Sequence, residues 1–334
     1  MTPIALLVTH AYWPGPDAQG RHEIVGRQID QLTRACAARG MALEPAFWED
    51  EGQDWARYRA VCPLMAWNYP RAPERFAACL AEVQAAGTPL LNSAGVIGRN
   101  LDKAYLGALA AAGAASVPTL YVSPTEAAIS AAFDALGANE IVVKPRVGAG
   151  AWRQARLKRT DPLPPADALP PGAALIQPFL PAIETEGEAS LLFFGGRFSH
   201  ALMKTPKPGD YRTQGHHGAR EHAWSAPADA RTAAERALAA WANTPAPLPA
   251  GELSAQPSEG GSAAIPPPAL RASSPASGGG HSALLYARVD LVRHESRWLV
   301  MELELIEPYL YLDFAPDPEA AAGRFAAALA DALA

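Results

Sequence analysis

The sequence predicts an α/β amino-terminal domain that is followed by an α+β region. Through residue 98, short apolar runs alternate with segments of helical periodicity, as in a parallel βαβ arrangement. Beyond residue 140, apolar strands dominate and pair through short turns. The chain has 334 residues, of which 49% are hydrophobic, so it can bury a sizeable core in about two or three packed units.

Net charge, targeting signals and cysteines exclude several classes of protein. The formal net charge of −6 and the isoelectric point near 5.8 provide no basic field for nucleic acid or for a membrane surface, so we expect neither partner. The apolar run at residues 4–8 is too short for a signal peptide, which predicts a cytoplasmic protein. The three cysteines are widely spaced in apolar contexts, which indicates neither disulfides nor a zinc site.

The amino-terminal domain, predicted at residues 1–98, has an alternating order of elements. Its predicted strands are residues 4–9, 42–48, 60–66 and 89–92. Its predicted helices are residues 24–39 and 73–86, and each is followed by a glycine that can end it. This order predicts a small parallel sheet with helices packed against it.

Two further subdomains are predicted, at residues 99–178 and 179–334. The first has predicted helices at residues 101–112 and 124–136 and predicted strands at 119–122, 140–144 and 174–179. In the second, a hairpin of residues 188–194 and 197–204 turns at Gly195 and Gly196, because glycine accepts a positive φ. The remaining predicted elements are a hairpin of residues 284–292 and 298–306 and a helix at 318–333.

The segment at residues 243–283 consists almost entirely of Pro, Ala, Gly and Ser. Such a composition cannot bury enough apolar surface to offset the entropy cost of folding, which predicts a disordered surface insertion. A long insertion is tolerated there because the entropy cost of closing a loop grows slowly with its length.

The second hairpin gathers acidic side chains. Alternation along a strand places Glu302 and Glu304 on one face. If the turn is centred near Ser296, Asp290 lies opposite Glu302 and Arg288 lies opposite Glu304. Three carboxylates this close repel unless a cation lies among them, and hard oxygen ligands suit Mg²⁺. Taken alone, the same alternation is also typical of the solvated face of an antiparallel hairpin.

Several cations are placed where an anion would stabilise them. Lys144 ends an apolar strand, where an unpaired ammonium would cost several kcal/mol. The glycine-containing loop that follows could bring backbone N–H groups close to a phosphate. Lys204 and Arg212 bracket a mobile loop that could close over phosphates, although a solvated basic loop is equally consistent with the pattern. Lys103 begins the helix predicted at 101–112, and in isolation it would be an ordinary surface lysine.

In order along the chain, these features resemble the ATP-grasp superfamily, in particular the branch of prokaryotic glutathione synthetase, the ribosomal-protein glutamate ligases and the cyclo-ligase of D-cycloserine biosynthesis. The resemblance covers nearly the whole chain outside the insertion. The stretches that carry it are residues 91–93, 100–103, 143–145, 177–181, 186–191 and 301–304, together with Asp290. It implies an ATP-grasp fold with an amino-terminal Rossmann-like, pre-ATP-grasp domain.

The resemblance also implies roles for particular residues. Nucleotide-binding lysines would be Lys103 and Lys144. The hinge whose backbone holds adenine would be Gln177, Pro178, Phe179 and Leu180, with Glu184 and Glu188 near the ribose. Contacts to the phosphates and the acyl-phosphate would be Lys204, Arg212 and Arg288. Ligands of Mg²⁺, or of Mn²⁺ in its place, would be Asp290, Glu302 and Glu304. A homodimer is the expectation for this family.

Two positions depart from the family pattern. The last metal position is often Asn in relatives, whereas this chain has Glu304, which still supplies an oxygen but makes the site more acidic. Relatives carry Trp-Asp-Tyr in the amino-terminal domain, whereas this chain has Trp67, Asn68 and Tyr69. The second change removes a carboxylate from the substrate side.

The function that the resemblance implies is ATP-dependent ligation of a carboxylate to an amine, or cyclisation, through an acyl-phosphate on a small amino-acid-like or peptide-like substrate. Two alternatives remain open at this point. One is a non-catalytic module that binds or senses ATP, and the other is an ATP-dependent small-molecule phosphotransferase. The complete set of carboxylates and cations favours the ligase, because nucleotide capture alone does not require a full metal site.

Overall fold

The computed structural model describes residues 2–13, 21–148, 150–244 and 284–334. The predicted disordered insertion at 243–283 lies outside the described residues from position 245 onwards. Within the described ranges, the chain forms three sheets and eight α-helices. None of these helices combines the length and the apolar character that crossing a bilayer requires.

The amino-terminal sheet is parallel, as the sequence predicts. Its strands are β1 (Ile4–Val8), β2 (Leu43–Phe47) and β3 (Ala60–Cys62), in the order β2-β1-β3. Its helices are α1 (Arg21–Ala37) and α2 (Pro73–Ala85). All five residues of β1 are buried because the strand lies between its two neighbours.

The end of this domain differs from the prediction. The strand predicted at 60–66 ends at Cys62, and the strand predicted at 89–92 is only a parallel bridge between Leu90 and Val61. The chain leaves the sheet there because the side chain of Asn92 binds backbone groups of a distant hairpin, including the carbonyls of Tyr286 and Leu305. Two short helices follow, α3 (Ala94–Asn100) and α4 (Tyr105–Ala111).

Lys103 lies in the turn between α3 and α4, so the single helix predicted at 101–112 is wrong. The side chain of Asp102 accepts a hydrogen bond from the N–H of Ala104 at 2.9 Å and pairs with Arg146. The N–H of Lys103 donates to the carbonyl of Arg146 at 2.9 Å. These contacts hold the turn open because they satisfy backbone groups that a continuous helix would have used.

An antiparallel four-stranded sheet follows. Its strands are β4 (Leu120–Val122), β5 (Glu140–Pro145), β6 (Ala155–Lys158) and β7 (Ala174–Pro178), in the order β4-β7-β5-β6. The helix α5 (Glu126–Ala135) packs on it. The strand β6 was not predicted, because Leu157 is its one buried residue and no apolar alternation marks it.

The largest sheet has five antiparallel strands. They are β8 (Glu188–Phe194), β9 (Arg197–Thr205), β10 (Arg220–Ala223), β11 (Tyr286–His294) and β12 (Arg297–Glu304), in the order β10-β9-β8-β11-β12. The helices of this part are α6 (Ala182–Thr185), α7 (Ala228–Asn243) and α8 (Pro318–Ala332). Both predicted hairpins and the last helix are confirmed.

The two faces of this sheet have different partners. One face packs against α7 and contains the predicted apolar residues Val289, Leu291, Leu303 and Leu305. Neither α7 nor β10 is predicted by the sequence, because the buried face of α7 is mostly alanine and β10 buries no residue fully. The opposite face packs at one end against α1 and α8 and at the other end carries charged residues.

The register of β11 and β12 is the predicted one at the charged positions. Asp290 pairs with Glu302, and Arg288 pairs with Glu304. A β-bulge lies between this region and the turn, because Leu291 pairs with Val300 and leaves Met301 as the extra residue. A bulge re-aims side chains, and Met301 consequently lines the same cleft as Glu302.

Candidate active site

A cleft between the four-stranded and five-stranded sheets brings the predicted site residues together. The predicted residues that line it are Lys103, Lys144, Gln177, Pro178, Phe179, Leu180, Glu188, Lys204, Arg212, Arg288, Asp290, Glu302 and Glu304. Glu184 is the predicted residue that is not among its lining residues. Because these residues come from distant parts of the chain, the cleft exists only in the folded molecule.

The first wall of the cleft is formed by β5 and β7. The Nζ atom of Lys144 donates to the side-chain carbonyl of Gln177 at 2.9 Å, and the Gln177 amide donates to Thr119 at 3.0 Å. Burial lowers the pKa of Lys144, while the carboxylates of Glu302 and Glu188 oppose the change. The ammonium is therefore poorly compensated, and an anion in the cleft would stabilise its charged form.

The segment after β7 is the predicted adenine hinge. The N–H of Phe179 donates to the carbonyl of Glu140 at 2.9 Å, which ties the hinge to β5. The guanidinium carbon of Arg156 lies 3.5 Å from the centre of the Phe179 ring. Arg156 also donates at 2.6 Å to Glu184, which does not line the cleft.

Lys103 connects the glycine-containing loop to the acidic hairpin. Its Nζ atom donates to the carbonyl of Gly148 at 2.6 Å and lies 3.1 Å from a carboxylate oxygen of Glu302. The side chain of Lys103 is 14% exposed, so its charge is only partly hydrated. An ordinary surface lysine would have no such partners, and the structure therefore favours a role in the site.

Lys204 lies at the centre of a buried group of charges. It is opposite Glu188 in the ladder of β8 and β9 and forms an ion pair with it. Its Nζ atom is also 3.6 Å from a carboxylate oxygen of Asp290. Burial alone would lower the pKa of Lys204, but the two carboxylates outweigh burial and raise it. Lys204 is consequently a fixed cation.

Arg288 bridges two of the predicted metal ligands. It donates to both oxygens of Asp290, at 3.0 and 2.9 Å, and forms a further ion pair with Glu304. Burial alone would raise the pKa of Asp290, but Arg288 and Lys204 lower it. Burial raises the pKa of the Glu304 carboxyl, and Arg288 opposes the rise. The carboxylates of Asp290 and Glu302 add to it.

Arg212 lies at the more exposed side of the cleft, in the loop between β9 and β10. Asp210 holds its guanidinium through contacts of 3.0 and 2.8 Å. The adjacent Tyr211 packs edge-on against Phe179, with ring centres 6.0 Å apart. The loop therefore reaches across the cleft from the large sheet to the hinge.

The three predicted metal ligands face the cleft together but each contacts a cation. No group of three or more His, Cys, Asp or Glu side chains in the described ranges is spaced to hold a metal ion as it stands. The reason is that Asp290 and Glu304 turn towards Arg288 while Glu302 turns towards Lys103. All three cysteines are free and buried, as the sequence indicates.

Several lining residues were missed by the sequence analysis, among them Tyr69, Thr213, Met301, Glu307 and Tyr311. Glu307 comes after β12, where the alternation has ended, so periodicity gives no sign of its position. Burial and the nearby Glu304 raise the pKa of Glu307 well above its usual value. Tyr311 has a φ of 50°, an unusual backbone conformation that sequence cannot reveal.

Comparison with known proteins places the chain among characterised relatives. The family model of the amino-terminal domain of D-cycloserine synthetase DcsG matches residues 4–92. The cycloserine biosynthesis protein DcsG of Streptomyces lavendulae is 31% identical over 324 residues, which cover 90% of this chain and 92% of that protein. The alignment thus extends over all three sheets.

Solved structures agree with this result. The crystal structure of D-cycloserine synthetase DcsG is 27% identical, covers 99% of both chains and has a TM-score of 0.73. A D-alanine–D-alanine ligase from Bacillus anthracis covers 100% of this chain and 97% of its own, with 14% identity and a TM-score of 0.60. The ATP-grasp ligase PsnB with its minimal precursor covers 99% of this chain and 100% of its own, with 15% identity and a TM-score of 0.57. The last two show the shared fold alone.

Proposed function

The chain belongs to the DcsG family of ATP-grasp ligases, and we propose that it uses ATP to close an amino-acid-like substrate onto its own amine, as in the formation of D-cycloserine. It is an ATP-dependent enzyme that forms C–N bonds. The observation that supports the proposal most directly is the single cleft in which Lys103 and Lys144 face the charged hairpin of β11 and β12. Family membership shows the ligase activity, and the experiments below test whether the ring closes within one substrate molecule.

The proposed reaction has two steps. An oxygen of the substrate carboxylate attacks the γ-phosphorus of ATP, ADP leaves, and an acyl-phosphate forms. The amine then attacks the acyl carbon, phosphate leaves, and a C–N bond forms as the amine loses a proton. The protein mainly holds the reactants together and compensates charge that develops on the phosphate oxygens.

The proposed roles are those that the family resemblance implies, and the positions of most of these residues in the cleft support them. Lys103 and Lys144 would bind the ATP phosphates, and the backbone of residues 177–180 would hold adenine. Residues proposed for the γ-phosphate and the acyl-phosphate are Lys204, Arg212 and Arg288. In the structure each of these three cations pairs with a carboxylate: Lys204 with Glu188, Arg212 with Asp210 and Arg288 with Asp290. Glu184 and Glu188 remain the proposed ribose-side residues.

We propose that the hairpin carboxylates bind Mg²⁺ once they turn away from the cations that they contact in the structure. Asp290, Glu302 and Glu304 are hard oxygen donors on one face, and repulsion among them contributes to the raised pKa of Glu304. A divalent cation would relieve this repulsion. When bound, Mg²⁺ would compensate charge on the transferred phosphoryl group. We propose these three residues as its ligands, with Mn²⁺ able to replace it.

Further features of the proposal rest on the sequence. We place the domain boundaries near residues 98 and 178, which separate the three sheets. We also expect a cytoplasmic homodimer without a nucleic-acid or membrane partner, and sedimentation of the purified protein would test the dimer.

The decisive experiment is to measure ADP release with Mg²⁺ against amino acids, small peptides and other carboxylates, with mass spectrometry of the products. O-Amino-D-serine is the most informative compound in this panel, because loss of water between its carboxyl and oxyamine groups gives D-cycloserine. We expect ADP release that depends on this substrate and a cyclic product one water lighter. A linear condensed product from two molecules would replace cyclisation with intermolecular ligation, and ATP binding without turnover on any compound would contradict both.

The same assay tests the hairpin. Replacing both Glu302 and Glu304 by alanine should lower turnover by at least roughly 10²–10³-fold, because charge compensation at the phosphates is lost. A matched control replaces two exposed glutamates on helices, Glu235 and Glu319, and should keep wild-type turnover. Circular dichroism should show both variants folded. Ordinary turnover of the hairpin variant at the same Mg²⁺ concentration would contradict the proposed metal site.

A further inference from the structure

A carboxylate lies at the edge of the amino-terminal sheet where the parallel strands end. Thr9 follows β1, and Glu49 follows β2 by two residues. Asn68 lies in the segment after β3. Ligands of open α/β sheets bind outside the carboxyl ends of the strands. This edge is therefore a natural place for substrate recognition, and it is separate from the ATP-binding parts of the cleft.

One oxygen of the Glu49 carboxylate accepts hydrogen bonds, and the other has no partner among the described residues. Its Oε1 atom accepts hydrogen bonds from the Thr9 hydroxyl and, at 2.8 Å, from the Asn68 amide. Its Oε2 atom is buried without a hydrogen-bond partner in the described part of the chain. No ion pair joins the Glu49 carboxylate to a described cation: the nearby guanidinium of Arg75 pairs with Glu82 at 2.8 Å and donates to the backbone carbonyl of Glu49 at 3.3 Å. A buried, uncompensated carboxylate oxygen calls for a cationic ligand.

Trp48 determines which way the Asn68 amide points. An indole N–H can only donate, and that of Trp48 lies 2.9 Å from the amide oxygen of Asn68. The amide nitrogen of Asn68 must therefore face Glu49. An ionised aspartate at position 68 would have no proton to donate and would repel the Glu49 carboxylate. Asparagine at 68 and a carboxylate at 49 thus belong together.

The segment that carries Asn68 also contacts the catalytic cleft. The indole N–H of Trp67 donates to the carbonyl of Glu307 at 2.8 Å. Both Glu307 and Tyr69 line the cleft. The residues on either side of Asn68 thus connect the sheet edge to the cleft, although Glu49 and Asn68 are not themselves among its lining residues.

We propose that Glu49 binds an ammonium group of the substrate that does not react, and that Asn68 positions Glu49 for this contact. The inference rests on the proposed function, since an amino acid that cyclises through another nitrogen retains its α-ammonium group.

Calorimetry with two cyclic ligands tests the site without turnover. D-Cycloserine carries the amino group, and isoxazolidin-3-one is the same ring without it. We expect wild-type protein to bind D-cycloserine about tenfold more tightly or better, as for one charged hydrogen bond. Glu49→Gln should remove most of this preference, whereas Glu51→Gln, which changes an exposed neighbour, should retain it.

A swap variant separates the role of the charge from damage to the fold. In Glu49→Gln with Asn68→Asp, the amide and the carboxylate exchange places and the hydrogen bond between them is retained. This variant should recover a preference for D-cycloserine that Glu49→Gln lacks. Equal binding of both ligands by the wild type, an unchanged preference in Glu49→Gln, or a folded swap variant without recovery would each overturn the proposal.

Failure of this inference is distinguishable from failure of the proposed function. Cyclisation of O-amino-D-serine by a protein that shows no preference for the amino ligand would overturn the role of Glu49 and leave the function intact. A preference that depends on Glu49, in a protein that does not cyclise this substrate, would support the ammonium site and contradict the cyclisation.

Discussion

At the scale of single residues, the site is defined by charges that are buried and paired. Glu188 accepts hydrogen bonds from Lys204 and, at 2.7 Å, from the hydroxyl of Thr213. Lys204 is 3% exposed. Removing such charges from water is costly, and a buried pair is weak evidence for stability. Under the proposed function, these residues supply fixed cations for the phosphates, which hydrophobic replacements could not do.

His200 is a buried titratable residue outside the cleft, and it predicts part of the pH dependence of stability. Its ring contacts the carbonyl of Leu310 at 2.9 Å, and burial lowers its pKa to about 4. The unfolded chain binds this proton at a pKa of about 6.5. Neutral His200 therefore makes its full contribution to the free energy of unfolding above about pH 6.5. About 3 kcal/mol of unfolding free energy is lost as the pH falls towards 4.

Urea unfolding between pH 7.5 and 4.5 measures this effect as a difference between proteins. The His200→Gln variant should lose less stability than the wild type over the range, because glutamine does not titrate. His294→Gln changes an exposed histidine and should follow the wild-type curve. Parallel curves for wild type and His200→Gln would contradict the assignment.

At the scale of elements, the hairpin of β11 and β12 shows how a β-bulge sets the pairing of the acidic residues. Its turn consists of Glu295 and Ser296, since His294 pairs with Arg297. Continued without interruption, this register would place Asp290 opposite Met301. The bulge at Met301 instead brings Glu302 opposite Asp290, so the acidic residues face one another.

Gly187, just before β8, lies where any larger residue would clash with the neighbouring strand β9. Its φ is +100°, and an added Cβ would lie 2.7 Å from the carbonyl oxygen of Lys204. Gly196, in the turn after β8, has a φ of +73° but no atom within 4 Å of an added Cβ. Gly196→Ala should therefore cost only backbone strain, about 1 kcal/mol, whereas Gly187→Ala should cost about 3 kcal/mol because β9 must also move.

Urea unfolding measures the loss of stability in the two variants, and ADP release measures the effect on activity. Gly187→Ala should also lower the rate of ADP release, because movement of β9 displaces Lys204 from Glu188. Gly196→Ala should leave the rate unchanged. Equal losses of stability in the two variants would show that the close contact at Gly187 is easily relieved.

At the scale of the whole molecule, two asparagines join the amino-terminal half to the acidic hairpin. The side chain of Asn92 contacts backbone groups of Leu285, Tyr286 and Leu305 at 2.7–2.9 Å. The side chain of Asn100 binds the carbonyl of Leu303 and the N–H of Leu305, both at 3.0 Å. These contacts attach the hairpin, and with it the cleft, to the segment that follows the parallel sheet.

Asn92→Ala should consequently destabilise the fold. The change leaves three buried backbone groups without partners, for which we expect a loss of about 3 kcal/mol in unfolding free energy. Asn139→Ala, at an exposed position, should change stability by less than about 0.5 kcal/mol. Thermal unfolding of both variants measures the difference. A loss at Asn92 no larger than at Asn139 would contradict this role.

Much of the site could be predicted because its strongest signals are local. Alternation and a short turn are enough to place Glu302 and Glu304 on one face, and Lys144 is conspicuous as a charge at the end of an apolar strand. The elements that were missed have weak periodicity: β10 buries no residue fully, and α7 buries mainly alanine. The residues that were missed, such as Tyr69 and Glu307, have no local pattern that indicates where they point.

The sequence by itself determined the order of most elements, the faces of the two hairpins and the family resemblance that the comparisons confirmed. Periodicity and turn chemistry depend on neighbours a few residues apart, so they can be read along the chain. The tertiary structure alone decided that Lys103 meets Glu302 and that Asn68 holds Glu49. Such pairs depend on how distant elements pack, and no short-range pattern in the sequence encodes the partner.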